Sequence, residues 1–179
     1  DAIERAKNWL DDYSGAPLFL FVHTYATRAV PEGLDATLDP GVRERQLGAY
    51  ANQVRAADRA VQGLFQSLKG RIDEKNTLYI VTTGNGDEFF EHGAAGHGTH
   101  LFDESVRVPL LIRGDRVRQE GRQSLSVGLI DLAPTILELA NAKVPSAMQG
   151  RSFARLLASG KAVLATPRFS EARRPVRLT

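Results

Sequence analysis

The stretch NTLYIVTTGNGDEFFEHG, residues 76–93, decides how this chain is read. Its first half holds a near-continuous apolar run, LYIVTT, of strand length and without the alternation of a half-exposed strand. Its second half packs a glycine turn, three acids and a histidine into a few positions. A buried strand that empties into a polar, glycine-containing loop is where an α/β sheet carries functional side chains.

The flanking chain supports that reading. DAIERAKNWLDDYSG (1–15) has helical apolar spacing at Ala2, Ile3, Ala6, Trp9 and Leu10, ending at Gly15. Pro17 opens LFLFVH, a second apolar run that predicts a strand buried on both faces. A loop rich in prolines, glycines and acids follows. The spacing of Leu47, Tyr50, Val54, Ala57, Val61, Leu64, Phe65 and Leu68 predicts a long amphipathic helix from about Val42 to Leu68. VPLLIRG (108–114) predicts another buried strand. SLSVGLIDLAPTILELANAKVP predicts a strand or turn and then a helix capped by Asp131, with Pro134 in its first turn. SFARLLASG predicts a further short helix, and the tail TPRFSEARRPVRL the start of another strand. Strands separated by helices predict an α/β layered sandwich around a mostly parallel central sheet, built as one domain over residues 1–179.

Composition removes several functions. The chain is ordinary globular material, 42% hydrophobic and 25% charged, with a formal charge of +2. Its basic residues are scattered apart from a small C-terminal group, without the dense aromatic-laced stripe of a nucleic-acid face. No cysteine is present, so these residues hold no disulfide, thiolate metal site or cysteine nucleophile. No apolar run approaches the ~18 residues of a membrane span. The chain begins at Asp1 without a signal-peptide pattern, which fits a processed or truncated piece.

Two loops, 23–33 and 83–104, carry all four histidines: His23, His92, His97 and His100. The second also holds Asn85, Asp87, Glu88, Glu91, Asp103 and Glu104. Oxygen and imidazole donors together suit a divalent cation such as Ca²⁺, Mg²⁺, Mn²⁺ or Zn²⁺. A solvated loop whose polar side chains face water is the competing reading. His92 and His97 lack the helical spacing of a zinc-protease motif. Gly84-Asn85-Gly86 is followed by no Gly-Lys-Ser/Thr, and no Gly-x-Ser-x-Gly elbow occurs. His23, at the end of its run, reads equally well as a local hydrogen-bonding group and as a site residue.

The order of motifs is similar to that of the sulfatase family, the sulfatase branch of the alkaline-phosphatase-like superfamily. PLFLFVHTYATRAVPE resembles the family's PFFLFVHYYDPHxPY. AYANQVRAADRAVQGLFQSL keeps Tyr50, Val54 and Asp58 of a family helix. NTLYIVTTGNGDEFFEHG resembles NTLVVFTSDHGEEFGEHG, and HGTHLFDESVRVPLLIRG resembles HGHxLYDExxRVPLIIRxPG. VGLIDLAPTILELANAKVPSAMQGRSFARLL follows VSLVDLAPTLLDLAGxPVPxxxQGRSLLPLL. Five motifs in order cover nearly the whole chain.

The resemblance implies a partial alkaline-phosphatase-like fold and hydrolysis of sulfate esters, or of phosphate esters in relatives. It implies a formylglycine nucleophile from a C/S-x-P-x-R motif, and a Ca²⁺ ion held by two early Asp residues plus an Asp and an Asn or His of the later loop. It also implies an exported or periplasmic location. Carried over, Asn85 matches the second residue of the loop's metal pair, while Gly84 stands where the paired Asp belongs. Arg28 falls at the ester-contacting histidine and Ala26 at an Asp two places earlier. His97 and His100 lie where a Lys or His reaches the sulfate. Glu91, His92 and Arg107 match positions that shape the loop. The nucleophile motif and the two early Asp residues are absent from these 179 residues; the resemblance places them upstream of Asp1, in a complementing N-terminal part. The expectation is thus an incomplete sulfatase-like hydrolase, inactive or impaired as this chain and weak in Ca²⁺ binding. The alternative is a non-catalytic domain that binds a sulfated or phosphorylated ligand or a partner.

Overall fold

In chain order the elements are α1 (Ala2–Asp11), α2 (Val42–Leu68), β1 (Leu78–Thr82), β2 (Glu88–Phe89) and β3 (Ala95–Gly96), then α3 (Asp103–Val106), β4 (Leu110–Gly114), α4 (Leu132–Leu139) and α5 (Ala154–Ser159). The structure is a computed structural model that describes residues 2–27, 41–98, 100–114, 116–160, 167 and 169–171. These fall into two compact units. One holds the described residues up to Glu74 together with Asn85–Arg107; the other holds Lys75–Gly84 and the described residues of Val108–Glu171.

In the first unit, α1 buries Ile3, Ala6 and Leu10, the i, i+3, i+7 stripe of an amphipathic helix. That stripe packs on α2, whose Leu64 and Leu68 are buried. Arg71, just past α2, fastens the pair: one Nη donates to the Leu10 carbonyl and the other reaches Asp11 Oδ1 at 2.8 Å. The same Leu10 carbonyl, in the last turn of α1, also accepts the Tyr13 N–H at 3.3 Å. The remaining apolar stripe of α2 is only partly covered. Val54 is 41% exposed, and Tyr50 meets Phe89 of β2 at a ring separation of 5.0 Å.

The strand expected over Leu18–His23 is not found in a sheet. Among the described residues it pairs with no strand, and Phe19 and Phe21 are 73% and 78% exposed. An apolar run becomes a buried strand only where neighbouring strands supply backbone donors and acceptors, and no described strand does so.

In the second unit, β1 and β4 pair antiparallel, with Ile80 opposite Ile112. The mostly parallel sheet expected from the sequence is therefore not what the described residues form; β2 and β3 also pair antiparallel. A short apolar run fits either direction, because apolar patterning records burial and not strand polarity. Leu78, Leu110 and Ile112 pack against a core of Leu139, Phe153, Ala154, Leu156 and Leu157.

Asp131 sits just before α4 as expected, but its carboxylate does not cap that helix. It accepts the Gly128 N–H at 2.9 Å and the Arg151 N–H at 2.8 Å. Thr135 Oγ1 donates to the Asp131 carbonyl at 2.6 Å and accepts the Phe153 N–H at 3.1 Å. The two side chains thus clip residues 151–153 onto the start of α4. A Cβ at Gly150 would lie 2.0 Å from the Ile130 carbonyl oxygen, so only glycine allows this approach. The strand or turn expected over 124–128 has no strand in it, and neither have Pro167 and Phe169–Glu171 of the tail.

Candidate functional site

After Gly84 the chain makes a tight turn whose position is set by backbone packing. The Gly86 N–H donates to the Ser105 carbonyl at 2.9 Å, and a Cβ at Gly86 would lie 2.0 Å from the Glu104 carbonyl oxygen. Gly86 therefore holds the turn against α3. Beyond it, β2 and β3 form a short hairpin with Glu88 opposite Gly96. The Phe90 N–H closes that hairpin on the Ala94 carbonyl at 2.9 Å, with Phe90 at φ 67° and Gly93 at φ 79°. Glycine takes the second of these without strain.

The hairpin brings three histidines together with three acids. His97 Nδ1 lies 2.7 Å from Asp87 Oδ1. His100 Nδ1 lies 3.1 Å from both oxygens of Glu88, whose side chain has no solvent exposure, and Ser105 Oγ lies 3.4 Å from Glu88 Oε1. His92 Nε2 lies 3.3 Å from Glu104 Oε2, and its ring stacks on Phe102 at 3.5 Å. Against an ionised carboxylate, which only accepts, each Nδ1 of His97 and His100 carries the proton. The Nε2 of each is then the nitrogen left over, and it has no partner among the described residues. With Nδ1 donating to a carboxylate, Nε2 is an acceptor in the neutral imidazole, suited to taking up a proton, and it donates to an anion once the ring is an imidazolium.

Behind this face, Arg43 of α2 holds the hairpin in place. Its Nε donates to the Phe89 carbonyl at 2.7 Å and its Nη2 meets Glu91 Oε1 at 3.0 Å. Burial pushes the Glu91 carboxyl up, but the Phe89 N–H, its own backbone N–H and Arg43 together hold it below the usual value. Burial, and secondarily the Asp87 carboxylate, raises the Tyr50 phenol. Tyr50 therefore belongs to the surroundings of the Asp87–His97 pair, a placement that sequence spacing did not give.

The site residues read from sequence are placed unequally. His97 directly follows β3 and His100 lies further along the chain, and each meets an acid at the start of the hairpin, Asp87 or Glu88. Asn85 is exposed at the preceding turn, its amide Nδ2 donating to the Gly86 carbonyl at 2.9 Å. Arg28 lies outside the described residues. His23 sits against Tyr25, with ring centroids 4.7 Å apart, and no hydrogen bond among the described residues joins it to the other histidines. Arg107 makes an exposed ion pair with Asp103 at 3.8 Å. The acids missed as histidine partners, Asp87 and Glu88, were visible in the sequence, but a ten- or twelve-residue separation carries no pairing signal without the hairpin register.

The Ca²⁺ ion implied by the resemblance is not accommodated by these residues alone. Among the described residues, no three His, Asp or Glu side chains converge as a cation site. Asn85 offers one neutral oxygen, Gly84 offers no side chain, and the Asp87 carboxylate is engaged by His97. Ca²⁺ takes roughly 6–8 oxygen ligands with several carboxylates, which this turn does not provide.

Comparison with known proteins shows the family of the chain. Residues 1–142 match the Sulfatase family, and the chain belongs to that family. It is 32% identical over 136 residues to the multifunctional alkaline phosphatase superfamily protein PehA of Trinickia caryophylli, covering 73% of this chain and 26% of that protein. It is 32% identical over 106 residues to an extracellular sulfatase SULF-1 homolog of Drosophila melanogaster, covering 59% of this chain and 10% of that one. A solved 2-O GAG sulfatase superposes on 92% of this chain and 41% of its own, with a TM-score of 0.62 at 15% identity, a likeness of fold. The chain thus spans about a quarter or less of the length of these two relatives.

Proposed function

We propose that this chain is the distal, substrate-contacting portion of a sulfate-ester hydrolase site and does not turn over substrate by itself. The observation that supports this is the pair of carboxylate-oriented imidazoles, His97 on Asp87 and His100 on Glu88, whose acids are neighbours at the start of the β2–β3 hairpin. In this reading His97 and His100, as imidazolium ions, donate Nε2–H to the sulfate group of the ester or its leaving oxygen, and Arg28 adds a bidentate anion contact. Asn85 contributes one neutral ligand to a Ca²⁺ site completed by upstream residues. The nucleophile also comes from an upstream part of the same sulfatase-like domain, since no C/S-x-P-x-R motif occurs here. Family membership favours an exported location, and no helix among the described residues is long and apolar enough to cross a membrane.

Turnover of 4-nitrophenyl sulfate tests the reading. Residues 1–179 alone are expected to show none, and the natural full-length protein to show turnover that His97→Ala and His100→Ala each lower by roughly a hundredfold. Turnover by residues 1–179 alone would overturn it. The second reading, a non-catalytic binding domain, draws on Gly84 standing where the family's metal Asp belongs. A full-length protein that binds sulfate esters without cleaving them, and that gains turnover with Gly84→Asp and Arg28→His together, would favour that reading as a degenerated enzyme.

A further inference from the structure

Past β4 the chain shows an alternation that the hydrolase reading does not use. Val117 packs inward on the Leu139–Leu157 core, while Arg116 and Arg118 on either side of it stay exposed. The Val117 N–H turns back onto the Gly114 carbonyl at 3.0 Å, and both arginines line the same groove. The backbone there is fixed: the Arg118 N–H donates to the Leu157 carbonyl at 2.8 Å. The Arg116 guanidinium donates to the Leu139 carbonyl at the end of α4, where the helix dipole favours a cation. Arg155 is exposed on α5. These three arginines, with Glu138 and Leu139, line one open groove of about 310 Å³.

Exposed arginines are ordinarily solvated or paired with acids. Here three converge on one concavity holding a single carboxylate, and among the described residues Arg118, Arg155 and Glu138 have no side-chain hydrogen bond or ion pair. The surrounding chain does not neutralise them: residues 75–84 and 108–171 hold ten Lys or Arg against five Asp or Glu. Like charges gathered in a groove focus a positive potential that an anion relieves.

We infer that the Arg116–Arg118–Arg155 groove is an anion-binding site for a sulfate or phosphate ester group, separate in its residues from the histidine hairpin. Three guanidinium forks offer more paired donors than the two oxygens of one carboxylate accept, whereas an ester of sulfate or phosphate presents three terminal oxygens. Glu138 keeps the groove from a net charge of three and accepts a hydroxyl of the molecule that carries the ester. The volume is at the low end of ligand pockets, roughly 300–1,000 Å³, and suits the oxyanion with a ring-sized neighbour. This inference holds whether or not the protein hydrolyses esters.

The test is binding of the full-length protein to sulfated, phosphorylated and carboxymethyl dextrans of matched charge density, followed by calorimetry at low salt. Arg118→Gln with Arg155→Gln is expected to weaken the sulfated or phosphorylated dextran by roughly tenfold or more. The charge-matched pair Arg55→Gln with Arg59→Gln, on exposed positions of α2, is expected to change it by less than about twofold. Glu138→Gln is expected to tighten binding. Preference between the sulfated and phosphorylated polymers identifies which ester the groove takes. Equal losses in the two arginine pairs would reduce the effect to net charge and overturn the site. Equal affinity for carboxymethyl dextran would overturn the ester assignment. If the double variant does not fold, Arg155→Gln alone carries the test, with an expected weakening of about threefold.

Discussion

His100 Nδ1 lies 3.1 Å from both carboxylate oxygens of Glu88, a side chain with no exposure to solvent. Glu88 is thus a fully buried acid that meets His100 and, at 3.4 Å, the Ser105 hydroxyl. Taking an acid out of water costs stability unless its oxygens are satisfied. Its position at the centre of the hairpin fits a role in fixing the orientation of His100.

Removing that acid has a definite expected outcome. Glu88→Ala leaves the Ser105 hydroxyl and His100 Nδ1 without their acceptor and opens a cavity, and is expected to destabilise the fold by about 2–4 kcal/mol. Glu88→Gln keeps the shape and an acceptor oxygen, and is expected to cost about half as much. Urea denaturation gives the stabilities. A Glu88→Ala variant as stable as the parent would show that the hairpin does not depend on this pair.

Glu91 predicts a pH dependence. Its carboxyl is held below the ordinary value of 4.5 in the fold, by backbone N–H groups and Arg43 that outweigh burial. A depressed acid contributes stability that is fully present above its unfolded value and is lost as pH falls through its folded value. The melting temperatures of the parent and Glu91→Gln are therefore expected to differ at pH 6 and to converge as pH falls below 4.5 through the lower folded value. A gap that stays constant from pH 6 to pH 3 would mean that Glu91 adds no titrating stability.

Asp87 couples two groups, so one substitution is read twice. Burial and then the Asp87 charge raise the Tyr50 phenol, and the same carboxylate faces His97 at 2.7 Å. Asp87→Asn is expected to bring the last step of the tyrosine absorbance titration down in pH without returning it to that of a free phenol, since burial is the larger cause. Tyr50→Phe identifies the step by removing it. An unchanged Tyr50 titration in Asp87→Asn would show that the two groups do not interact.

The legibility of the sequence divides along physical lines. The long helix, expected from about Val42 to Leu68, is found there, because a 3.6-residue stripe repeated through seven turns leaves few alternatives. The strand at Leu78–Thr82 was readable as a strand, but not its antiparallel partner, because apolar runs carry no direction. LFLFVH misled: its composition speaks of burial, while in the structure Phe19 and Phe21 are largely exposed. At the site, the histidines announced themselves by density. Their carboxylate partners did not, because the Asp87–His97 and Glu88–His100 pairs exist only once the β2–β3 register is set. Asp131 shows a further limit: its cap position was legible, but its use as a clip for residues 128 and 151 depends on a contact twenty residues away.

Gly84 and Gly86 stand two residues apart and predict opposite responses to a side chain. A Cβ at Gly86 would meet the Glu104 carbonyl oxygen at 2.0 Å, a backbone atom that cannot move without shifting α3. Gly86→Ala is therefore expected to cost about 1–3 kcal/mol and to disturb the Gly86–Ser105 hydrogen bond. At Gly84 a Cβ would meet nothing within 4 Å, and no positive φ argues for glycine. Gly84→Asp is expected to change stability by less than about 0.5 kcal/mol. It also places a carboxylate beside Asn85, the pairing of the family's loop. In the full-length protein Gly84→Asp is accordingly expected to raise the midpoint of thermal unfolding with added Ca²⁺ more than in the parent, as a ligand bound only by the folded state does. Denaturation of both variants and a Ca²⁺ titration of the melting temperature check the pair. A Gly84→Asp protein as destabilised as Gly86→Ala would show that the turn needs glycine for its backbone and not through loss of a ligand. A stable variant with no Ca²⁺ response would place the metal ligands of the site somewhere other than this turn.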